Sequence, residues 1–198
     1  MKEVQDFYFK KAKKEGYPAR SVYKLEEAQQ KYRLLKKGDK VLDLGCHPGS
    51  WSLYAAKVVG AQGLVVGIDL QKTSGGGKKD MAPIHWLHGD ITDPAMLASV
   101  RELAPVFDVV ISDMAPSTSG NKWADQQQAL ALARRSLAVA TEMLKRGGNY
   151  YCKVFQGEDV DTFFKEVRAL FVSARLVKPK SSRSESREMF VLGMGFGG

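Results

Sequence analysis

Three aspartates stand where three apolar runs give way to turns. Asp43 lies near the end of Val41-Leu42-Asp43-Leu44, Asp69 closes Leu64–Asp69, and Asp90 follows Gly89 after the run 84–87. The first run breaks into a loop holding Gly45, Pro48 and Gly49, and a helical pattern with Trp51, Leu53, Tyr54 and Val58 comes next. Strand, glycine turn and helix in that order bring a nucleotide-like ligand against the carboxyl edge of a sheet. Gly45 and Gly49 are four apart, so the GxGxxG loop that hugs a pyrophosphate is not reproduced. Asp43 adds a negative charge, which suits a cation better than a diphosphate. Each acid alone reads more readily as a helix cap or a loop residue. Together, at successive strand ends, they point to an adenosyl ligand, with Asp69 placed to take both ribose hydroxyls and Asp90 the adenine amino group.

An adenosyl ligand that carries positive charge describes S-adenosylmethionine, with its sulfonium and ammonium groups. Two further polar placements stand out. Asp113 comes just past the apolar run Val109-Val110-Ile111-Ser112, with Pro116 turning the chain, and Lys153 sits inside a run, 149–155, otherwise fit for a central strand. An unpaired buried charge costs several kcal/mol. Lys153 therefore needs an acid beside it, a lost proton, or a route for its ammonium to reach water at the strand's end.

Positioning these groups requires the alternation that the rest of the chain shows. Strand-like runs recur at Lys40–Leu44, Leu64–Asp69, 84–87, Phe107–Ser112 and 149–155, with helical patterns between them. The clearest helix covers 124–146, with Gly147-Gly148 as its expected stop. Another covers Val160–Leu170, and an earlier one, 21–31, has Ser21 as candidate cap. Two last runs, 174–177 and 189–192, lack room for a crossover helix and should pair antiparallel. The expectation is an α/β, Rossmann-like fold: a mostly parallel seven-stranded sheet with a terminal antiparallel hairpin and helices on both faces. The chain of 198 residues fits one domain, 1–198, with a basic arm over 1–20 and a core over 21–194. The glycine-bearing segment 71–83 is the one plainly loose loop.

Lys and Arg number 30 against 22 Asp and Glu, a net charge of +8. Most of the excess lies in residues 1–40, and a second basic stretch covers 175–188, an arrangement that suits a polyanion such as nucleic acid. Two cysteines, Cys46 and Cys152, are too few for a disulfide scaffold or a zinc site. His85 and His88, three apart in a strand, face opposite ways, so no metal site is expected. No apolar run is long enough to cross a bilayer and no signal peptide is apparent, which makes a cytoplasmic setting the default.

Five motifs occur in order: Arg20-Ser21-Val22-Tyr23-Lys24, Asp43 through Trp51, Ser112-Asp113-Met114-Ala115-Pro116, Lys153-Val154-Phe155-Gln156-Gly157 and Ser186-Arg187-Glu188-Met189-Phe190. On them the chain resembles the FtsJ/RrmJ family of RNA ribose 2′-O-methyltransferases over about residues 6–192. The departures are Cys46-His47 in the first loop and the Gly75–Gly77 insert. The resemblance implies a catalytic tetrad at Lys24, Asp113, Lys153 and Glu188, with Glu185 a nearby competitor for the last place. It also implies S-adenosylmethionine contacts at Gly49, Trp51, Asp69, Asp90 and Asp113, to which the residue reading adds Asp43 and Gly45. Lys153 would take the ribose proton, Lys24 and Glu188 would position the ribose, and Asp113 would bridge cofactor and base. A lysine has an ordinary pKa of about 10.4 and is charged at neutral pH. Burial and a second lysine favour its neutral form, while neighbouring carboxylates oppose that.

RNA would lie across the sheet's carboxyl edge, gripped by Lys10, Lys11, Lys13, Lys14 and Arg20 on one side and by Lys180 and Arg183 on the other. The expected substrate is a uridine of large-subunit (23S) rRNA, with the chain acting as a monomer by default. A tRNA, an mRNA cap, or a non-catalytic role in ribosome assembly are the competing readings.

Overall fold

The computed structural model describes residues 2–76, 79–116, 120–157, 159–183 and 186–198, with the side chains of 2–6 and 122 left aside. Along them run α1 (Lys2–Glu15), α2 (Val22–Tyr32), β1 (Lys40–Leu44), α3 (Ser50–Val59), β2 (Leu64–Asp69), β3 (Ile84–His88) and α4 (Pro94–Leu103). Then follow β4 (Phe107–Ser112), α5 (Lys122–Met143), β5 (Leu144–Phe155), α6 (Val160–Leu170), β6 (Phe171–Val177) and β7 (Glu188–Phe196). The sheet order is β3-β2-β1-β4-β5-β7-β6. The first five strands are parallel, and β7 enters antiparallel between β5 and β6. Strand order reverses between β1 and β4, which opens a crevice at the carboxyl edge there.

Side-chain alternation builds one core on each face of the sheet. Leu42 and Leu44 of β1 join Val110, Leu137, Ala140 and Phe163 beneath α4, α5 and α6. Val41 faces the other way and joins Leu25, Trp51, Ala55, Tyr151 and Phe190 beneath α2 and α3. Asp43 shares Val41's parity and therefore points at α3. On that face the Trp51 ring stacks on Tyr151, with centroids 5.7 Å apart, and Tyr151 stacks on Phe190 at 4.8 Å.

The basic arm is helical through Glu15. Ser21 does not cap α2 through its side chain; its carbonyl instead accepts the Trp51 indole N–H at 2.9 Å. Gly147-Gly148 does not end α5 either. The helix stops at Met143, and both glycines lie inside β5, with Gly147 at φ 78°. A shift in the pairing of β5 with β4 falls here, between the Leu144 and Asn149 positions, so the glycines make a bulge rather than a helix cap. Strands β6 and β7 run longer than expected because Gly193 and Gly195 interrupt the apolar pattern of β7 without ending the ladder.

Trp51→Ala removes a side chain that is 3 % exposed, together with its stacking partners' support. The expected loss is about 3–5 kcal/mol of stability, read as a lower midpoint in urea unfolding.

Candidate active site

Four charged side chains converge at the carboxyl edge. Tyr151 and Lys153 share one face of β5, so the strand that packs Tyr151 on Trp51 also aims Lys153 at the end of β4. Its Nζ donates to the Asp113 carbonyl at 2.6 Å and lies 3.1 Å from Asp113 Oδ1, and the side chain is only 7 % exposed. Lys24, on the first turn of α2, lies 3.9 Å from the same Oδ1. Both carboxylate oxygens of Glu188, the first residue of β7, hold Lys24 Nζ, at 2.7 and 2.8 Å. Tyr151 Oη donates to the Lys24 carbonyl and Ser182 Oγ to Glu188 Oε1, which ties the pair to β5 and to the turn before β7. The structure thus brings Lys24, Asp113, Lys153 and Glu188 together. Glu185 lies outside the described residues. Asp113 Oδ1 is buried and accepts no well-directed hydrogen bond. It stands between two ammonium groups and holds them by charge.

Beside this cluster, at the switch point, is a cavity of about 490 Å³ whose lining includes Gly45, Asp69, Asp90, Asp113, Met114 and Arg135. That volume suits a small cofactor. Backbone donors fix the acids. Asp69 accepts from the N–H groups of Gln71 at 2.7 Å and His47 at 2.9 Å, and Asp90 from that of Thr92 at 2.8 Å. Gly45 has φ 76°, and a Cβ there would stand 2.3 Å from Met114 Cγ and 3.1 Å from its Cα. Only glycine lets these two loops meet. A wall with three carboxylates and a close-fitting backbone suits a ligand that carries positive charge.

Asp43, Gly49 and Trp51 are not part of that lining. Asp43 is buried and accepts from Ser52 Oγ at 2.6 Å, Gly49 caps α3 with φ 104°, and Trp51 belongs to the core. All three shape the first loop from behind. Sequence reasoning missed Ile91, Thr92, Met114, Leu132 and Arg135 of the lining. The first three adjoin residues already singled out, whereas Leu132 and Arg135 sit mid-helix with no motif to mark them. Among the described residues no group of His, Cys, Asp or Glu could hold a metal ion.

The basic residues divide. Lys10, Lys13 and Lys14 are exposed along α1, but Lys11 is engaged with Glu15, Glu26 and the Tyr23 ring. Arg20 donates to the Ser181 carbonyl at 2.7 Å, and Glu27 accepts the backbone N–H groups of Lys180 and Ser181. The two basic segments therefore meet on one side of the site instead of facing each other across it. Arg183 and the Lys180 side chain are exposed there. Tyr23 is buried, and Tyr17 packs on Tyr54.

A sheet of this order with its last strand reversed, opening at the switch point on an acid-lined cavity, defines a Rossmann-like methyltransferase. The sequence pattern of the FtsJ-like methyltransferase family matches residues 17–196, and the chain belongs to that family. It is 57 % identical over 196 residues to a protein of Desulfotalea psychrophila named ribosomal RNA large subunit methyltransferase E, covering 99 % of this chain and 98 % of that one. A protein of the same name from Brachyspira hyodysenteriae is 44 % identical over 196 residues, again 99 % and 98 %. Among solved structures, one from Plasmodium falciparum described as a ribosomal RNA methyltransferase superposes with a TM-score of 0.77 at 25 % identity, covering 92 % of this chain and all of that one.

Burial pushes the Asp43 carboxyl up to about 7, with Asp113 and Asp69 adding to the rise and the Ser52 hydrogen bond opposing it. The folded chain thus keeps a proton that the unfolded chain releases above the ordinary value of 3.8. Stability from this group is complete below pH 3.8 and is lost as pH rises to 7. Asp43→Asn should match the wild type in thermal melting near pH 3.5 and exceed it at pH 8, by on the order of 4 kcal/mol.

Proposed function

We propose that this protein transfers a methyl group from S-adenosylmethionine to a ribose 2′-hydroxyl, and that its substrate is a uridine of the large-subunit ribosomal RNA in the cytoplasm. The observation that carries the reading is the meeting of two lysines and two carboxylates around Asp113, directly beside the acid-lined cavity. The names of the relatives at 44–57 % identity supply the RNA class.

S-adenosylmethionine, when bound, supplies an electrophilic methyl group that carries its own neutral leaving group. Asp69 would take the ribose hydroxyls of the cofactor, Asp90 its adenine amino group, and Asp113 the positive end, with Gly45 allowing close approach. The chain's own task is to make a weak nucleophile attack. Lys153 Nζ, having first passed its own proton to solvent, takes the proton of the 2′-hydroxyl as the oxygen forms its new bond to carbon and the carbon–sulfur bond breaks. Asp113 holds that nitrogen by its carbonyl and its carboxylate, so the lone pair is aimed rather than free to rotate. Lys24 and Glu188, locked to each other, present a donor and an acceptor to the target ribose. Positioning of this kind accounts for several kcal/mol of barrier lowering without a metal ion. Lys10, Lys13 and Lys14 along α1, Arg20 in the segment before α2, and Lys180 and Arg183 in the β6–β7 turn can meet phosphates.

Lys153→Ala should lower methyl transfer to ribosomal RNA by at least 10²-fold while cofactor affinity, measured by calorimetry, stays within threefold. Retained turnover refutes the base assignment. Mapping of 2′-O-methyl groups in total RNA from cells with and without the protein tests the substrate. One large-subunit uridine should lose its methyl group, and a change confined to tRNA or to mRNA ends overturns the assignment. Binding to RNA should weaken steeply between 50 and 200 mM salt, roughly tenfold or more for each few phosphates contacted.

A further inference from the structure

Among the described residues, Arg135 is the one arginine or lysine lining a cavity that also presents Asp69, Asp90 and Asp113. It comes from α5, 22 residues after Asp113 and 18 before Lys153, and its neighbour Arg134 turns outward to pair with Glu166 at 2.9 Å. Leu132 precedes Arg135 by three residues, which places both on the same face of the helix and into the same lining. Among the described residues Arg135 makes no ion pair and no hydrogen bond, although three carboxylates share its cavity. Arg135 is exposed at the cavity's mouth, so its guanidinium remains free to meet a ligand there.

The remaining lining is apolar where Leu70, Ile91, Met114 and Leu132 contribute, and Asp90 stands among them. A slot with apolar walls and one amino-group acceptor fits a flat heterocycle better than it fits a flexible, doubly charged amino-acid chain. Guanidinium groups lie against aromatic faces by both stacking and cation–π attraction. The acids at the other positions account for the ribose and the positive end, which leaves the adenine as the group with a free face.

We infer that Arg135 is an adenine-binding residue, holding the purine face of the methyl donor from the α5 side. The inference rests on the cofactor reading above. It assigns Arg135 no part in the proton transfer and makes it indifferent to the charge of the methionine end.

Calorimetry with three ligands tests this: S-adenosylmethionine, S-adenosylhomocysteine and adenosine, the last measured by competition. Arg135→Ala should weaken all three by a similar factor of about five, with the melting temperature of the free protein unchanged because the side chain is exposed. Arg135→Lys should recover less than half of the loss, since an ammonium cannot stack. Adenosine binding reduced less than twofold overturns the inference, and so does a loss confined to the two ligands that carry the amino-acid chain, which would place Arg135 at their carboxylate. Wild-type protein that binds none of the three removes the cofactor reading itself, and this inference falls with it.

Discussion

The carboxylate of Asp113 lies between the ammonium groups of Lys153 and Lys24, 3.1 and 3.9 Å from one oxygen, and most of the functional architecture exists to make that arrangement tolerable. Two largely buried cations repel each other, and one carboxylate cannot neutralise both. Glu188 completes the balance by closing on Lys24 with both oxygens. Removal of either acid would leave an uncompensated charge, which in a desolvated place is severely destabilising. The cluster is therefore a unit of four. Its members come from α2, β5, β7 and the loop after β4, so no local segment can form it alone.

Register is what delivers those members. Lys153 stands opposite Phe190 on β7, and Phe155 opposite Glu188. A slip of one residue in β5 would send Lys153 to the face of α5 and expose Tyr151's side of the strand to the wrong core. The Trp51–Tyr151–Phe190 stack opposes such a slip, because all three rings fit only in the observed parity. The bulge at Gly147-Gly148 matters for the same reason, since it absorbs the irregular start of β5 before the paired stretch begins at Asn149. The turn before β7 is pinned as well. Glu27 grips two of its backbone N–H groups, and Arg20 its Ser181 carbonyl, so α2 carries Lys24 and steadies the segment that presents Glu188.

The parts of this design that were legible in the primary structure are those written in strong local patterns. Five parallel strands, their alternation with helices and the antiparallel ending followed from apolar runs and turn residues. The four side chains that converge at the carboxyl edge were named through the family resemblance of ordered motifs, not through spacing. What local pattern hid was three-dimensional. A glycine pair after a helix reads as a stop, but the same φ > 0 freedom serves a strand bulge, and only pairing with β4 decides between them. Charge runs at the two chain ends looked like opposed jaws because sequence distance says nothing of the Arg20–Ser181 contact that draws them together. Asp43 looked like a ligand to the cofactor because it ends a strand, but parity turns it into α3, toward Ser52. Arg135 carried no signal at all, being one of two adjacent arginines on a long helix whose sides face different surroundings.

These placements give the acids of the site two different tasks. Asp43, fully enclosed and with its carboxyl pushed up to about 7, carries its full charge only above neutral pH and acts chiefly as a hydrogen-bonded buttress under the first loop. Asp69, Asp90 and Asp113 face the cavity and carry the electrostatic work. Backbone donors fix Asp69 and Asp90 in place without neutralising them, whereas Asp113 is balanced by Lys153 and Lys24. Asp69 and Asp90 thus give the wall a preorganised anionic character that an entering cation relieves. A ligand with positive charge at one end and a flat ring at the other is favoured on both counts. Its binding stabilises the fold as well as the site, because anything that binds only the native state shifts unfolding by mass action.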